Sequence, residues 1–224
     1  MVPCLDCPAP IRPTVLLAED HTLVREGLRQ LLAASLDVVD AVEDGRALVA
    51  SAERLQPDAI LLDITMPQLN GLDAARQLAR LSPRSRLVFV TMHADPAYVH
   101  EAFRAGALGY VLKSSASGEL IAAVAAVLQG QRYLSLALRS EHAELLAESL
   151  QPAPGKLSDA LTGRQREVLQ LVAEGRTAKE IAAVLAISRK TVEFHKASVM
   201  RQLHLHTTAE LTRYALEHGI IGAG

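Results

Sequence analysis

The sequence predicts a doubly wound α/β domain with a five-stranded parallel sheet, followed by an all-α domain of four helices that contains a helix-turn-helix. Three observations lead to this prediction. From residue 12 to 133, short apolar runs alternate with amphipathic helical patterns, as in parallel α/β folds. A stretch rich in proline follows at residues 151–156, and from residue 157 onward the pattern is helical. The chain therefore divides into two domains joined by a hinge.

Five apolar runs predict the strands, and the segments between them carry the helices. The strands are predicted near residues 14–18, 38–42, 59–63, 86–91 and 109–112. The helices are predicted near residues 22–34, 45–55, 71–80, 96–105 and 117–129, where apolar residues recur at the spacing of one helical face. A helix after each strand is typical of a parallel sheet with helices on both faces.

Composition and charge argue against a membrane protein, a secreted protein and a protein that binds nucleic acid through its overall charge. The chain has 224 residues, of which 50% are hydrophobic and 21% are charged, as in a soluble globular protein. Its net charge is −2, so any contact with nucleic acid must depend on a local basic surface. No apolar run approaches the roughly 20 residues of a membrane helix, and the N-terminus has no secretory signal pattern. We therefore expect a cytoplasmic location.

The only two cysteines, Cys4 and Cys7, lie in a Pro-rich N-terminal segment. A structural zinc site needs about four ligands, and a second pair does not exist. A thioredoxin-like motif is expected inside a strand–helix unit. We therefore expect residues 1–11 to form a disordered leader. Residues 134–156 are expected to form a helical linker, from Leu136 to Leu150, followed by the Pro-rich hinge.

Polar side chains stand at the carboxyl ends of four predicted strands. Glu19 and Asp20 follow the first strand, and Asp63 ends the third. Thr91 ends the fourth strand, and Lys113 follows the fifth. In an open parallel sheet these ends meet at one edge, where ligands bind. Three carboxylates, a hydroxyl and an ammonium are therefore expected in one pocket, which suits a phosphorylated aspartate held by a divalent cation. Taken singly, each residue also fits a solvated loop charge or a structural strand residue.

Capping boxes mark three helix starts in the C-terminal part, because in this motif a hydroxyl and a carboxyl or amide bond the free amides of the first turn. They are Thr162–Gln165, Thr177–Glu180 and Thr207–Glu210. Ser188 is expected to cap a fourth helix. The helix from Thr177 to Leu185, a short turn and the helix from Ser188 to Leu203 have the lengths of a helix-turn-helix.

Local charge favours DNA binding by the second of these two helices. It has four basic residues and one acid, a net charge of +3: Arg189, Lys190, Lys196 and Arg201, with Glu193. A recognition helix inserts its first turns into the major groove, where base edges can be distinguished. The alternative is that this basic face is only solvated surface.

With these motifs the chain resembles the two-domain response regulators of the LuxR/FixJ (NarL-type) family, which join a receiver domain to a LuxR-type helix-turn-helix. The N-terminal motifs are Ala18–His21, Leu62–Pro67, Val90–His93 and Gly106–Lys113. The C-terminal motifs are Leu161–Leu169, Lys179–Ala182, Lys190–Glu193 and Met200–Leu203. The resemblance implies a receiver domain at residues 12–133 and a DNA-binding domain at residues 157–224.

In the receiver, the resemblance implies that Asp63 accepts a phosphoryl group. It assigns Mg²⁺ (or Mn²⁺) to Glu19, Asp20, Asp63 and the backbone carbonyl of Thr65. A divalent cation neutralises charge and holds the phosphoryl group in line, and Mg²⁺ favours one or two carboxylates with waters.

The resemblance also assigns the contacts of the phosphoryl group. Lys113 would pair with Asp63 and then with the acyl phosphate, and Thr91 would donate its hydroxyl. Tyr110 would rotate inward as Thr91 moves toward the phosphate, although an aromatic residue in a strand is usually core. Thr65 and His93 flank the pocket, where they either tune the lifetime of the phosphate or are exposed loop polarity.

For DNA, the resemblance assigns residues on both helices of the helix-turn-helix. Base contacts fall to Glu193, Phe194 and Ala197, and phosphate contacts to Lys179, Lys190, Thr191 and Lys196, with Ser188 and Arg189 at the start of the same interface. Glutamate can accept from cytosine N4, and phenylalanine can touch a thymine methyl. Two positions depart from the family pattern, because Ala178 stands where Asn is usual and Gln202 where Lys is common.

The sequence thus predicts a two-component response regulator rather than an enzyme, with at most slow autodephosphorylation. The expected partners are double-stranded DNA, a sensor histidine kinase and a second copy of the chain when phosphorylated. RNA polymerase is a further candidate, and no membrane is expected. The last helix carries Leu211, Tyr214, Ala215 and Leu216. These residues form either a dimer face or part of the core.

Two other functions compete with this prediction. One is a DNA-binding regulator that works without phosphorylation, which the complete set of strand-end residues argues against. The other is an aspartate-nucleophile phosphatase, which expects an acid two residues after the nucleophile, where this chain has Thr65. The kinase, its signal, the operator and the direction of control do not follow from the sequence.

Overall fold

The computed structural model describes residues 12–139 and 161–222. The predicted leader, with Cys4 and Cys7, the hinge and most of the predicted linker helix lie outside the described residues. The predicted fold class is confirmed in both parts, a parallel α/β domain followed by a helical domain. Within the described ranges, no helix has the length and apolar character needed to cross a membrane.

The α/β domain is a parallel sheet with helices on both faces. Its strands are β1 (Thr14–Ala18), β2 (Asp37–Val42), β3 (Ala59–Leu62), β4 (Arg86–Thr91), β5 (Gly109–Leu112) and β6 (Tyr133–Leu134). Its helices are α1 (Thr22–Ala33), α2 (Gly45–Leu55), α3 (Gly71–Leu81), α4 (Pro96–Arg104) and α5 (Ala116–Leu128), with a 3₁₀ turn at Lys113–Ser115. The strand order is β2-β1-β3-β4-β5-β6, and every pairing is parallel. The order reverses between β1 and β3, where a ligand crevice is expected.

Alternate side chains of each strand enter two apolar layers. Leu16, Ile60 and Phe89 pack in the layer that contains α2, α3 and α4. Leu17 and Val88 pack in the other layer, with α1 and α5. Because both faces are covered, the strands are continuous apolar runs. The polar residues that follow them are therefore collected at one edge of the sheet.

The described part of the sheet has six strands, one more than predicted. The missed strand, β6, pairs with β5 and has only two residues, too few to give an alternating pattern. Its position is fixed by Glu119 of α5, whose carboxylate accepts hydrogen bonds of 3.0–3.1 Å from the Tyr133 and Ser135 hydroxyls and the Leu136 amide. Residues 136–139 are helical (α6), and Leu138 is buried in the α/β core.

The C-terminal domain has four helices in the described range. They are α7 (Gly163–Ala173), α8 (Ala178–Val184), α9 (Arg189–Gln202) and α10 (Thr208–Glu217). The three predicted capping boxes are confirmed, and Ser188 caps α9 by accepting from the Thr191 amide. Buried side chains of all four helices form one core, which includes Leu211 and Ala215. Of the candidate dimer face, Leu216 is exposed.

Candidate functional site

Three charged side chains meet at the carboxyl edge of the sheet. Glu19 follows β1, Asp63 follows β3 and Lys113 follows β5. The Lys113 ammonium lies 2.7 Å from a carboxylate oxygen of Glu19 and 2.7 Å from one of Asp63. The side chain of Lys113 is 10% exposed, that of Glu19 is 1% exposed and that of Asp63 is 6% exposed. The lysine thus holds together two buried carboxylates that would otherwise repel each other.

Asp20 and His21 extend this group toward solvent. Glu19, Asp20 and His21 each offer one ligand atom, and these atoms all lie within 4.8 Å of one another. The Oδ1 atom of Asp20 is buried and makes no hydrogen bond, although His21 Nδ1 lies 2.8 Å away. A buried oxygen without a hydrogen bond is costly. A cation bound to that oxygen would remove the cost.

The electrostatics of the pocket are dominated by burial. Burial raises the pKa of Glu19 above its ordinary value, and the nearby Lys113 ammonium offsets part of the rise. Burial alone would lower the pKa of Lys113, but the Asp63 and Glu19 carboxylates more than compensate, so the pKa is raised. Lys113 is therefore charged at neutral pH. Three carboxylates and one ammonium leave a formal charge of −2 when all are ionised, which matches one divalent cation.

The wall of the pocket next to Asp63 is formed by β4, β5 and the loop after β4. Thr91, the last residue of β4, is fully buried. The Tyr110 hydroxyl donates a 2.8 Å hydrogen bond to the carbonyl of His93. His93 Nε2 lies 2.9 Å from the Thr65 hydroxyl, and burial lowers the pKa of His93. The His93 ring also contacts the ring of Tyr98 of α4, with 4.4 Å between centroids and 34° between the ring planes. Thr65 and His93 are therefore joined to each other rather than left as separate loop residues.

The Tyr110 ring points into the apolar core, and its predicted rotation with Thr91 stays a prediction. Its side chain is fully buried, with the Phe89 ring 6.3 Å away. Leu134 and Leu138 belong to the same apolar cluster. Leu134 lies in β6 and pairs with Tyr110. The inward ring is thus stabilised by β6, which the sequence did not reveal, and by α6, which lies at the start of the predicted linker helix.

Close backbone contacts hold the loop from Asp63 to Gly71. The Gly71 amide donates a 2.7 Å hydrogen bond to the Ile64 carbonyl, and the Ile64 amide donates to Asp63 Oδ1 at 2.6 Å. A Cβ atom at Gly71 would overlap the carbonyl oxygen of Asp63. Only glycine therefore allows α3 to begin this close to the acidic pocket.

Arg25 and His21 belong to the site although neither was predicted. Arg25 of α1 is buried, and its guanidinium donates a 2.8 Å hydrogen bond to the carbonyl of Glu19 and pairs with Glu43 at 2.9 Å. These contacts fix the backbone that carries the acidic pair. Their spacing could have indicated this, because Arg25 and His21 are four residues apart and so lie on one face at the start of α1, next to the acidic pair.

The predicted nucleic-acid residues lie together on α8 and α9, and most face solvent. Those exposed are Lys179, Ser188, Arg189, Lys190, Glu193, Phe194 and Ala197, and those half-buried are Thr191 and Lys196. Phe194 is 69% exposed, and its ring meets the edge of His195 at 5.7 Å between centroids. A large apolar side chain this exposed is available for a contact outside the domain.

The two departures from the family pattern have structural roles in this chain. Gln202 Oε1 accepts a 2.8 Å hydrogen bond from Gln165 Nε2, which joins the end of α9 to the start of α7. Ala178 is half-buried and packs against the helical core. Neither departure disturbs the exposed face of α9.

The two domains are in contact through α7, although the residues that make this contact were not predicted from the sequence. Gln170 of α7 is fully buried. Its Oε1 atom accepts from the Asn70 backbone amide, and its Nε2 donates to the Met66 carbonyl, both at 2.8 Å. Glu174, one turn further, accepts from the Gln68 amide at 2.9 Å. The loop that follows Asp63 is thus hydrogen bonded to the first helix of the C-terminal domain.

Ion pairs continue this contact along α7. Arg166 Nε lies 2.7 Å from Asp73 of α3, and the Glu167 carboxylate lies 3.0 Å from Arg46 of α2. Asp73 is buried, with a side-chain exposure of 6%. The part of the receiver that α7 contacts therefore consists of α2, α3 and the loop before α3.

A second contact between the domains follows α10. Gly219 has a φ of +59°, and a Cβ atom there would overlap the Tyr98 hydroxyl of α4. A Cβ atom at Gly222 would lie 3.0 Å from Cγ2 of Thr65. The C-terminal segment, residues 219–222, thus lies against the same residues that form the wall beside Asp63.

Comparison with known families separates the chain into the same two parts. The model described as "Response regulator receiver domain" matches residues 15–125. The model described as "Bacterial regulatory proteins, luxR family" matches residues 159–215. The acidic pocket lies in the first match, and α8 and α9 lie in the second.

Curated relatives match the chain over nearly its whole length. The chain is 34% identical to the transcriptional regulatory protein MctR of Rhizobium johnstonii over 209 residues, 92% of this chain and 94% of MctR. It is 32% identical to the response regulator GacA of Pseudomonas protegens, over 93% of this chain and 98% of GacA. Among solved structures, RcsB of Salmonella enterica serovar Typhimurium, bound to a promoter in the presence of the phosphomimetic BeF3⁻, is 27% identical with a TM-score of 0.58. That match covers 92% of this chain and 99% of RcsB.

Proposed function

The chain belongs to the two-component response regulators that join a receiver domain to a LuxR-type DNA-binding domain, and on this premise we propose that phosphorylation of Asp63 controls its binding to DNA. The observation that carries the proposal is the contact of one buried lysine, Lys113, with both Glu19 and Asp63. The phosphoryl donor would be a sensor histidine kinase. We assign residues 12–133 to the receiver, 134–156 to the linker and hinge, and 157–224 to the DNA-binding domain.

A divalent cation, Mg²⁺ or Mn²⁺, would be held by the carboxylates of Glu19, Asp20 and Asp63 and by the backbone carbonyl of Thr65. These are hard oxygen donors of the kind that Mg²⁺ prefers. The buried Oδ1 atom of Asp20, which makes no hydrogen bond, supports this fit. When bound, the ion supplies positive charge to the phosphoryl oxygens and orients them.

Each residue of the pocket has a distinct part in the transfer. One Asp63 oxygen forms a bond to phosphorus while the bond from phosphorus to the donor's imidazole nitrogen breaks, and the departing imidazole keeps the electron pair. Lys113 stabilises the charge that builds up on the phosphoryl oxygens. Thr91 donates its hydroxyl to one of these oxygens. Tyr110, whose hydroxyl donates a hydrogen bond to the His93 carbonyl, holds the loop after β4 in place.

DNA contact is assigned to the exposed face of α9 and the start of α8. Glu193, Phe194 and Ala197 would read base edges in the major groove. Phosphates would be held by Lys179, Ser188, Arg189, Lys190, Thr191 and Lys196, which give affinity without sequence information. The exposure of Phe194 and Glu193 supports this assignment, because both side chains are free to enter a groove.

Phosphorylation would act by shifting the equilibrium between a docked and an undocked arrangement of the two domains. The shift can be no larger than the difference in stability that the phosphate creates between them. The undocked form would pair as a homodimer on DNA, with RNA polymerase as a further candidate partner. The promoter-bound RcsB structure with a phosphomimetic supports the link between phosphorylation and DNA binding. The protein would work in the cytoplasm without enzymatic activity beyond slow loss of its own phosphate.

Mass spectrometry after incubation with acetyl phosphate tests the proposal. The parent chain should gain one phosphoryl group when Mg²⁺ is present and none when it is chelated. Asp63→Asn should gain none. Asp37→Asn is the matched control, because Asp37 is an exposed aspartate at the start of β2. If Asp63→Asn gained the group as readily as Asp37→Asn, Asp63 would not be the acceptor.

DNA binding separates the proposal from its two competitors. Phosphorylated protein should bind selected DNA more tightly than unphosphorylated protein. Equal binding by the parent and Asp63→Asn in the presence of acetyl phosphate would favour a regulator that works without phosphorylation. Rapid, catalytic hydrolysis of added phosphate esters would favour the phosphatase. Selection of bound DNA from a random pool supplies the DNA for this assay.

A further inference from the structure

A cleft rich in arginine lies between α3 of the receiver and the first turn of α7. Its volume is about 620 Å³, and it is open to solvent. Helix α3 contributes Arg76 and Arg80, which are one helical turn apart, and α7 contributes Arg164 and Arg166. The residues that line the cleft are not those of the acidic pocket, and they are not the candidate DNA contacts on α8 and α9. The cleft is therefore a separate feature of the molecule.

The lining of the cleft has an excess of positive charge. Four arginines and two carboxylates line it, which leaves a formal charge of +2. Asp73 Oδ1 is shared between two of the arginines, since it lies 2.8 Å from Arg76 and 2.7 Å from Arg166. Glu167 also pairs with two arginines, one of which lies outside the cleft. Both acids are thus already engaged, and the excess charge is not balanced by the lining itself.

Two guanidinium groups, one from each domain, are available to an anion. Arg80 is exposed, and it makes no hydrogen bond or ion pair with any residue in the ranges 12–139 and 161–222. Arg164 pairs with Glu167 at 2.9 Å and donates to the Leu185 carbonyl at 2.7 Å. A guanidinium has more N–H donors than these two contacts use. A ligand in the cleft therefore meets free donors on both α3 and α7.

The size and the lining of the cleft indicate the class of ligand. Small-molecule sites have volumes of roughly 300–1,000 Å³, so the cleft has room for much more than an inorganic phosphate. Arginine binds phosphate through paired hydrogen bonds and also stacks on aromatic rings. Leu81, which ends α3, is 37% exposed and adds apolar surface to the cleft. This combination suits phosphate groups that are joined to a flat ring.

We propose that the cleft binds a nucleoside diphosphate, with its phosphates on Arg80 and Arg164 and its base against Leu81. The phosphates supply the negative charge that the lining lacks. The ligand contacts both domains, so binding requires them to lie together as they do in this structure. The site does not involve Asp63, and the proposal therefore goes beyond the function proposed above and is tested separately from it.

Isothermal titration calorimetry of the full chain with ADP and with GDP tests the proposal. EDTA is included, so that no cation in the acidic pocket can bridge to the phosphates. At least one nucleotide should bind at one site per chain with a dissociation constant below about 1 mM. Pyrophosphate and the free nucleoside should each bind at least about tenfold more weakly, because each retains only half of the contacts.

Two variants test the two sides of the cleft. Arg80→Met and Arg164→Met should each weaken binding of the nucleotide by about tenfold, because each removes charge-assisted hydrogen bonds to phosphate. Arg84→Met is the matched control, since Arg84 is exposed just beyond α3 and does not line the cleft, and its affinity should stay within about twofold of the parent. Circular dichroism reports whether Arg164→Met is folded. Arg80→Met has no internal contact to lose, so it decides the matter alone if Arg164→Met is not folded.

Each alternative outcome contradicts a different part of the proposal. The cleft is not a ligand site if neither nucleotide binds saturably. Binding of pyrophosphate as tight as that of the nucleotide would show that no base is recognised. An equal loss in Arg84→Met would mean diffuse attraction by surface charge, and a loss in Arg80→Met without one in folded Arg164→Met would place the ligand on the receiver alone. Asp63→Asn should bind the nucleotide as the parent does, and loss of binding in that variant would move the ligand to the acidic pocket.

Discussion

Replacing Lys113 with methionine tests the charge arrangement of the pocket most directly. The substitution keeps most of the aliphatic stem but removes the ammonium that lies 2.7 Å from both Glu19 and Asp63. Removing one member of a buried ion pair costs about 3–5 kcal/mol, because the remaining charge is left uncompensated. All three side chains are at most 10% exposed, so screening by solvent is small. We expect the free energy of unfolding at pH 7 to fall by about 3 kcal/mol.

Divalent cations should restore part of this loss. In Lys113→Met the pocket has a formal charge of −3 when its carboxylates are ionised, so Mg²⁺ should bind more tightly than in the parent. A ligand at 100 times its dissociation constant stabilises the folded state by about 2.7 kcal/mol. Urea unfolding followed by circular dichroism, with Mg²⁺ and with chelator, measures both effects.

Lys179→Met is the matched control, because Lys179 is exposed on α8. Exposed substitutions of this kind usually change stability by less than about 0.5 kcal/mol. A loss in Lys113→Met no larger than in Lys179→Met would refute the reasoning. An equal gain from Mg²⁺ in Lys113→Met and the parent would show that the lysine and the metal do not act on the same carboxylates.

Three further predictions concern DNA, docking and the loop. Lys196→Ala should weaken binding to all DNA sequences about equally and lower the slope of log affinity against log salt concentration by about one unit. Glu193→Ala should relax the preference at one base pair per half-site, with a loss of discrimination of about 1–3 kcal/mol in competition assays. Burial raises the pKa of Glu174 from about 4.5, so the docked state binds more protons and docking should weaken as pH rises from about 4.5 to the raised value. Glu174→Gln should abolish that slope in exchange at the Gln68 amide. Gly71→Ala should cost at least about 2 kcal/mol in urea unfolding, whereas Gly27→Ala, with open space around it, should stabilise α1 by about 0.5–1 kcal/mol.

The pocket was predictable because strand ends are fixed by a simple rule. Apolar runs buried on both faces end where a polar residue appears, and parallel strands bring those ends to one edge. Glu19, Asp63 and Lys113 therefore come together from local patterns alone. The caps of α7, α8 and α10 were predictable for a similar reason, because each depends on two residues only three positions apart.

The contacts between the domains were not predictable from such local rules. Gln170 has an amide side chain that suits solvent as well as burial, and only the position of the loop after Asp63 makes it an interior residue. The sequence did contain a weak indication of this contact, since Glu167, Gln170 and Glu174 recur at the spacing of one helical face and could mark a polar contact surface. The strand that covers the Tyr110 ring, β6, was missed because it is only two residues long.

The two edges of the sheet restrict how copies of the chain can associate. On one edge, Asp40 lies within β2, and its Oδ1 accepts from the Ala41 backbone amide at 2.9 Å, while Arg54 approaches its Oδ2 at 3.4 Å. On the other edge, β6 ends after two residues and leads directly into α6. A charged edge and a very short edge both oppose strand addition, which is the usual route to sheet-to-sheet aggregation. A homodimer of this protein is therefore expected to form through helices, so that pairing stays reversible and the sheet of each copy remains separate.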